Sequence, residues 1–195
     1  MTTAHATTAT TGLDAGPADG PDIGRAEITD GAELWRIARE SGELDVNSPY
    51  SYLLWCRDFA GTTAVARDAT GRPVGFVTGY LRPEAPGTLF VWQVAVEGSH
   101  RGTGVAGALL DSLSARVAAE HGLVRIEATV TPGNVASDRM FRSFARRHGA
   151  GLTREVLFPA AVFPVPAGTG EQQAPHEQHE PHEPEVLYRI GPLTA

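Results

Sequence analysis

The segment Phe90-Val-Trp-Gln-Val-Ala-Val-Glu-Gly-Ser-His-Arg-Gly-Thr-Gly-Val-Ala106 restricts this chain more than any other. An apolar strand runs into a glycine-rich loop, and the loop opens a helix. A helix start leaves its first backbone N–H groups without partners, and the helix dipole adds positive potential at that end. Gly102 and Gly104 let a ligand approach the backbone with no Cβ in the way. Arg101 adds a formal charge. This assembly suits a pyrophosphate. It is not a Walker loop, because no Gly-Lys-Ser/Thr closes it, and Gly107 stands at the wrong spacing after Gly104 for the dinucleotide fingerprint. Taken alone, the Gly-x-Gly pair also reads as a plain helix start after a turn.

The flanking pattern predicts the other elements. Asp30 with Glu33 three residues on resembles a capping box, ahead of a helical stripe of Leu34, Ile37 and Ala38 that ends near Gly42. Ser48-Pro49 predicts an N-cap with proline at the first helical position, then a helix to about Ala60 closed by Gly61. Strands are expected over 62–67 and 74–81, joined by a turn at 68–73, and over 89–96. Helices are expected over 105–121, stopped by Gly122, and over 134–148, ended by Gly149. Strands at 124–130, 152–157 and 186–190 complete the pattern. Helices first, then an antiparallel meander, then β-α-β-α-β-β, make one α/β (α+β) domain.

Two stretches lie outside that pattern. Residues 1–24 hold almost no large apolar side chain, cannot offset their ordering entropy, and are expected to form a disordered leader. Residues 164–184 are polar and rich in Pro, His and Glu. Because a strand follows, 164–181 is read as a loop insertion rather than a tail. The domain then comprises 25–163 and 182–192.

Composition narrows the function classes. At 195 residues and 42% hydrophobic, the chain can build a proper core. A formal net charge of −7 with no dense basic tract disfavours nucleic acid as a partner. No apolar run is long enough for a transmembrane helix, and the first ten residues lack a basic start and an apolar stretch, so neither membrane nor secretion is expected. The single cysteine, Cys56, cannot form an internal disulfide, which fits a reducing cytoplasm. It lies in an apolar helical stretch and reads as packing rather than as a nucleophile.

Two further matches carry a resemblance. Arg101-Gly-Thr-Gly-Val-Ala106 is similar to the Arg/Gln-x-x-Gly-x-Gly/Ala signature of the GNAT acetyltransferase superfamily. Asn134-Val-Ala-Ser-Asp-Arg-Met-Phe141 resembles its second motif, and Val94-Ala-Val96 stands where its splayed fourth strand stands. The resemblance implies the acyl-CoA N-acyltransferase fold, a central mixed sheet flanked by helices, with acetyl-CoA as co-substrate. It places the CoA pyrophosphate on Arg101, Gly102, Thr103, Gly104, Val105 and Ala106. It puts pantetheine and the thioester carbonyl on the backbone of Val94 and Val96, with Asn134, Ser137 and Phe141 bordering the coenzyme. Two features of the superfamily are missing. Many members carry Tyr where Phe141 stands, to protonate the departing thiolate. Many carry Glu on the fourth strand as base, where this chain has Trp92 and Gln93, and Gln cannot serve as a base.

Four stretches resemble one family within it, the diaminobutyrate acetyltransferases of ectoine biosynthesis. They are Leu44-Asp-Val-Asn-Ser-Pro-Tyr-Ser-Tyr-Leu-Leu54, Thr88-Leu-Phe-Val-Trp-Gln-Val-Ala-Val96, Thr131-Pro-Gly-Asn-Val-Ala-Ser137 and His182-Glu-Pro-Glu-Val-Leu-Tyr-Arg-Ile190. The family implies transfer of acetyl from acetyl-CoA to the γ-amine of L-2,4-diaminobutyrate, the precursor step to a compatible solute, by a homodimer. That substrate carries two ammonium groups and a carboxylate. Asp45 and Glu185 are candidates for the ammoniums. Asn47, Ser48, Tyr50, Trp92 and Asn134 are candidates for the carboxylate. An ammonium cannot attack a thioester, so a base is needed. His182, with an imidazole reference pKa of about 6.5, is the first candidate, then Glu185 or Asp45. Tyr50 is the candidate acid. No metal is expected, because the histidines crowd a loop without ligands on a rigid scaffold. A protein N-acetyltransferase or a noncatalytic CoA-binding regulator are the competing readings.

Overall fold

A computed structural model describes residues 21–42, 44–164 and 182–193. The apolar alternation around residues 63–96 folds as a meander of three antiparallel strands, β2 (Thr63–Arg67), β3 (Pro73–Arg82) and β4 (Ala85–Val96). β1 (Asp22–Arg25) adds to the free side of β2, Ile23 opposite Ala66. Helix α3 (Val105–His121) carries the chain across one face to β5 (Arg125–Val130), which lies parallel to β4, as a crossover connection requires. Helix α4 (Val135–Arg147) leads to β6 (Gly151–Phe158), and β7 (Glu185–Gly191) returns between β5 and β6. Among the described residues, seven strands form one mixed sheet in the order β1-β2-β3-β4-β5-β7-β6.

Each face has its own core. On one, Leu109, Leu110 and Leu113 of α3 and Phe141 and Phe144 of α4 pack on Leu89, Val91, Ile126 and Ala128. On the other, α1 (Gly31–Ser41) and α2 (Pro49–Asp58) bury Leu34, Ile37, Tyr52 and Cys56 against Val65, Phe76 and Ala95. No helix among the described residues is long and apolar enough to cross a membrane.

Three expectations need correction. Residues 22–24, assigned to the leader on composition, belong to β1, because hydrogen bonding to the edge of β2 orders a strand that has little apolar surface of its own. The remaining leader, 1–20, lies outside the described residues, as does 165–181 of the insertion. The capping box is formed by Glu27 and Asp30 around a short 3-10 turn, not by Asp30 and Glu33. Asp30 is then spent on a buried fork-to-fork pair with Arg67, at 2.6 and 2.8 Å, which holds the α1 start against β2. Helix α2 stops at Asp58, and a 3-10 turn through Gly61 leads into β2.

Candidate active site

The site begins with a fault in the sheet. Thr78 pairs with Gln93 and Gly79 with Val91, so Trp92 is an extra residue in β4, a β-bulge. The bulge switches the strand's faces. Before it, Leu89 and Val91 point at α3 and α4; after it, Val94 and Val96 take that direction while Ala95 turns to α1 and α2. Pairing with β5 ends at Val91 and Ala128, although β4 runs on to Val96 and β5 continues to pair with β7. A wedge opens, and beyond Val91 the β4 backbone, still paired with β3 on its other side, presents the polar groups of its β5-facing edge to the wedge.

The wedge widens into a cleft of about 700 Å³. Val94, Val96, Arg101, Gly102, Gly104, Val105 and Ala106 line one side, and Asn134, Ser137, Arg139 and Arg147 of α4 line the other. Gly102 and Gly104 have φ of 76° and 90°, and a Cβ on either would meet no protein atom within 4 Å. Their positive φ disfavours any side chain, and the space beside them is left to a ligand. Asn134 caps α4, its Oδ1 accepting from the Ser137 N–H at 2.9 Å. Arg101 donates from Nε to the Val96 carbonyl at 3.2 Å and from Nη2 to the Ser41 carbonyl at 3.1 Å, so it frames the loop as well as charging it. Two residues expected at the coenzyme do not line the cleft. Thr103 turns its hydroxyl onto the His100 carbonyl at 2.7 Å. Phe141 lies on the inward side of α4 with Phe144 and Ala145 and packs in the core. A phenol, Tyr188, stands beside Phe141 with ring centroids 6.1 Å apart, but its hydroxyl donates to Asp138, away from the cleft.

The loop ahead of α2 forms the other end. Asp45 exposes 98% of its side chain, and His182 Nε2 lies 3.8 Å from its Oδ2. The His182 ring stacks on Phe163 at 3.7 Å, and its Nδ1 sits 2.6 Å from the Glu183 carbonyl. A carbonyl only accepts, so Nδ1 carries a proton there, and Nε2 is the ring nitrogen that faces Asp45. Trp92 is 49% exposed at the bulge and stacks on Trp55, with centroids 6.4 Å apart. Ser48 precedes Pro49 and shares a hydrogen bond with Ser51, while Tyr50 is exposed on the first turn of α2. Glu185 opens β7 opposite Phe158; the acid that reaches toward α4 is instead Glu183, which accepts from the Gly133 N–H at 3.1 Å.

Sequence reasoning missed several of these residues. Gln93, set aside as no base, is buried and bonded at both ends of its amide: Tyr52 donates to its Oε1 at 3.1 Å, and its Nε2 donates to the Asp45 carbonyl at 3.0 Å. Burial raises the Tyr52 phenol above its ordinary value, against the opposing pull of hydrogen bonds with Gln93 and Asn47. Glu127 on β5 is 2% exposed and held by Arg82 and Arg189. In the sequence it falls on the regular polar alternation with Arg125 and Thr129, so no local signal marks it as buried. Burial, aided by Asp30, pushes the Cys56 thiol up to about 11, which leaves it a poor nucleophile. Among the described residues no group of three or more His, Cys, Asp and Glu side chains is arranged to hold a metal ion.

A splayed pair of parallel strands with a glycine loop and helix N-terminus beyond it defines an acetyltransferase of the GNAT class, and the model of the acetyltransferase (GNAT) family matches residues 30–145. The chain is 56% identical to the L-2,4-diaminobutyric acid acetyltransferase of Streptomyces avermitilis, over 100% of this chain and 99% of that one. It is 59% identical to the enzyme of the same name from Streptomyces coelicolor, over 89% and 94%. A solved diaminobutyrate acetyltransferase from Paenibacillus lautus, in complex with its substrate L-2,4-diaminobutyric acid and coenzyme A, superposes with a TM-score of 0.77 at 38% identity, covering 90% of this chain and 98% of that chain. The chain belongs to the L-2,4-diaminobutyric acid acetyltransferase family.

Proposed function

We propose that this enzyme transfers the acetyl group of acetyl-CoA to the γ-amine of L-2,4-diaminobutyrate in the wedge between β4 and β5. One observation carries the reading. Gln93, next to the cleft-lining Val94 on β4, bonds the Asp45 carbonyl through its amide, and Leu44 beside Asp45 lines the same cleft, which supports reading the coenzyme wall and the acidic loop as one site. The Arg101–Ala106 loop holds the pyrophosphate, and the free N–H groups of β4 hold pantetheine. Asp45 and Glu185 attract the ammonium groups of the substrate, while Asn47, Ser48, Trp92 and Asn134 position its carboxylate and carbon chain.

The chemistry follows from these positions. His182 Nε2 takes a proton from the γ-ammonium, directly or through one water. The amine lone pair then attacks the thioester carbonyl. Backbone N–H groups of β4 stabilise the oxyanion. The oxyanion collapses and the C–S bond breaks; Tyr50 gives its proton to the thiolate, and the nitrogen, cationic since the attack, restores Tyr50 by passing its second proton to the phenolate through water. Nothing passes through Cys56, so transfer is direct within a ternary complex. The product is N-γ-acetyl-diaminobutyrate, a precursor of the compatible solute ectoine, made in the cytoplasm under osmotic stress. The working unit is a homodimer.

The test is a competition among diaminobutyrate, ornithine and lysine at equal concentration with acetyl-CoA, with products identified by mass spectrometry and NMR. A longer chain displaces the reacting nitrogen, and misplacement by about 1 Å costs on the order of a hundredfold. The γ-acetyl product should therefore dominate by about that factor. Preference for ornithine or lysine, or α-acetylation, would overturn the substrate. CoA release with peptide N-termini and with no diamine would turn the reading to a protein acetyltransferase.

A further inference from the structure

We propose that Gln93 is a positioning residue for the amine substrate: it sets the place of the Asp45 carboxylate and of the Trp92 indole without touching the substrate itself. The inference deepens the reading above, since it rests on Asp45 meeting the substrate. Gln93 is 7% exposed on a face otherwise packed by Tyr52, Phe76 and Ala95. A buried amide among apolar groups is unfavourable unless both ends are bonded. Both are, and the partners fix its orientation. The Asp45 carbonyl can only accept, so Nε2 must face it at 3.0 Å, and Oε1 is left to accept from the Tyr52 hydroxyl at 3.1 Å. The same hydroxyl is hydrogen-bonded to Asn47.

Two adjoining groups of the site thus hang on one side chain. The loop 45–47 has no regular secondary structure, and the Asp45 side chain is free in solvent apart from His182 at 3.8 Å. Its backbone is what is held, and Gln93 holds it. Gln93 is also the residue after the extra Trp92 of the bulge, and burial of its amide keeps the strand in the register that turns the indole outward.

Three substitutions separate this role from simple packing. In Q93E the carboxylate still accepts from Tyr52 but has no proton for the Asp45 carbonyl. In Q93M both bonds go while the volume stays. In Y52F the donor to Gln93 is removed without leaving a cavity. Each should raise the diaminobutyrate KM by about tenfold and the acetyl-CoA KM by less than about twofold, and should narrow the preference over ornithine. In the D45A background the Q93E change should add little further, because groups acting through one contact are not additive. If D45A leaves the diaminobutyrate KM unchanged, the placement of Asp45 at the substrate fails. If D45A raises it but Q93E and Y52F do not, or if Q93E and D45A add fully, or if both KM values rise together, the positioning role of Gln93 is overturned.

Discussion

Gly104 shows how one residue can serve the ligand and cost the fold little. Its φ of 90° makes it the left-handed N-cap of α3, and no protein atom lies within 4 Å of where a Cβ would stand. A valine there is strained by roughly 1–2 kcal/mol and projects into the cleft. Gly104→Val should therefore raise the acetyl-CoA KM at least about tenfold while leaving the diaminobutyrate KM near its original value, as initial-rate kinetics with each substrate varied would read. Arg101→Ala should act in the same direction but less strongly, since the guanidinium also braces the Val96 and Ser41 carbonyls. An unchanged acetyl-CoA KM in a folded Gly104→Val protein would remove the coenzyme from this loop.

At the scale of elements, the bulge in β4 depends on its neighbour. Where β3 faces the extra Trp92, Gly79 lies so close that a Cβ would come 2.6 Å from the Phe90 carbonyl oxygen and 3.2 Å from Leu89 Cδ1. The glycine is required by close approach of two strands, and the strand must have it for the bulge to exist. Gly79→Ala should force β3 and β4 apart at the point where the wedge begins. A loss of about 1–3 kcal/mol is expected from such overpacking, or a melting temperature lower by roughly 2–12 °C, together with a loss of kcat. Thermal melts and steady-state rates on the same preparation would check it. Full stability with full activity would mean that the strands tolerate a different register. The next element, β5, contributes the buried Glu127, whose tie to Arg82 on β3 spans β4 and whose tie to Arg189 joins it to its direct neighbour β7, just before the sheet splays.

At the scale of the whole molecule, the last strand is incompletely covered. Among the described residues β6 is an edge, hydrogen-bonded only to β7, and Val156 and Phe158 on it are 57% and 48% exposed, with Val162 just beyond at 63%. An apolar edge of this kind invites a second chain. This supports the homodimer reading. Light scattering at micromolar concentration should give twice the mass of the 20.6 kDa chain, and V156E together with F158E should shift it toward the monomer. A monomer mass for the unaltered enzyme would refute the dimer.

Some of this could be read from neighbours in sequence. The glycine loop after β4, the helix stops at Gly42, Gly122 and Gly149 and the Asn134 cap depend on backbone conformations and hydrogen bonds that span a few residues, so their letters sufficed. So did the burial of Cys56, from the apolar stretch around it. The rest depended on partners far along the chain. β1 exists because β2 supplies its hydrogen bonds from about forty residues away, and nothing in Asp22-Ile-Gly-Arg25 alone would keep it extended. The place of β7 between β5 and β6 is a matter of which edges were free. Phe141 matched a motif position, yet the pitch of α4 turned it to the core. Gln93 was legible as a residue that could not be a base; that it ties the acidic loop to the strand was decided by Tyr52 and Asp45, 41 and 48 residues away. Local backbone preferences are written in short stretches, whereas a buried polar side chain acquires its meaning only from the groups that tertiary packing brings within 3 Å of it.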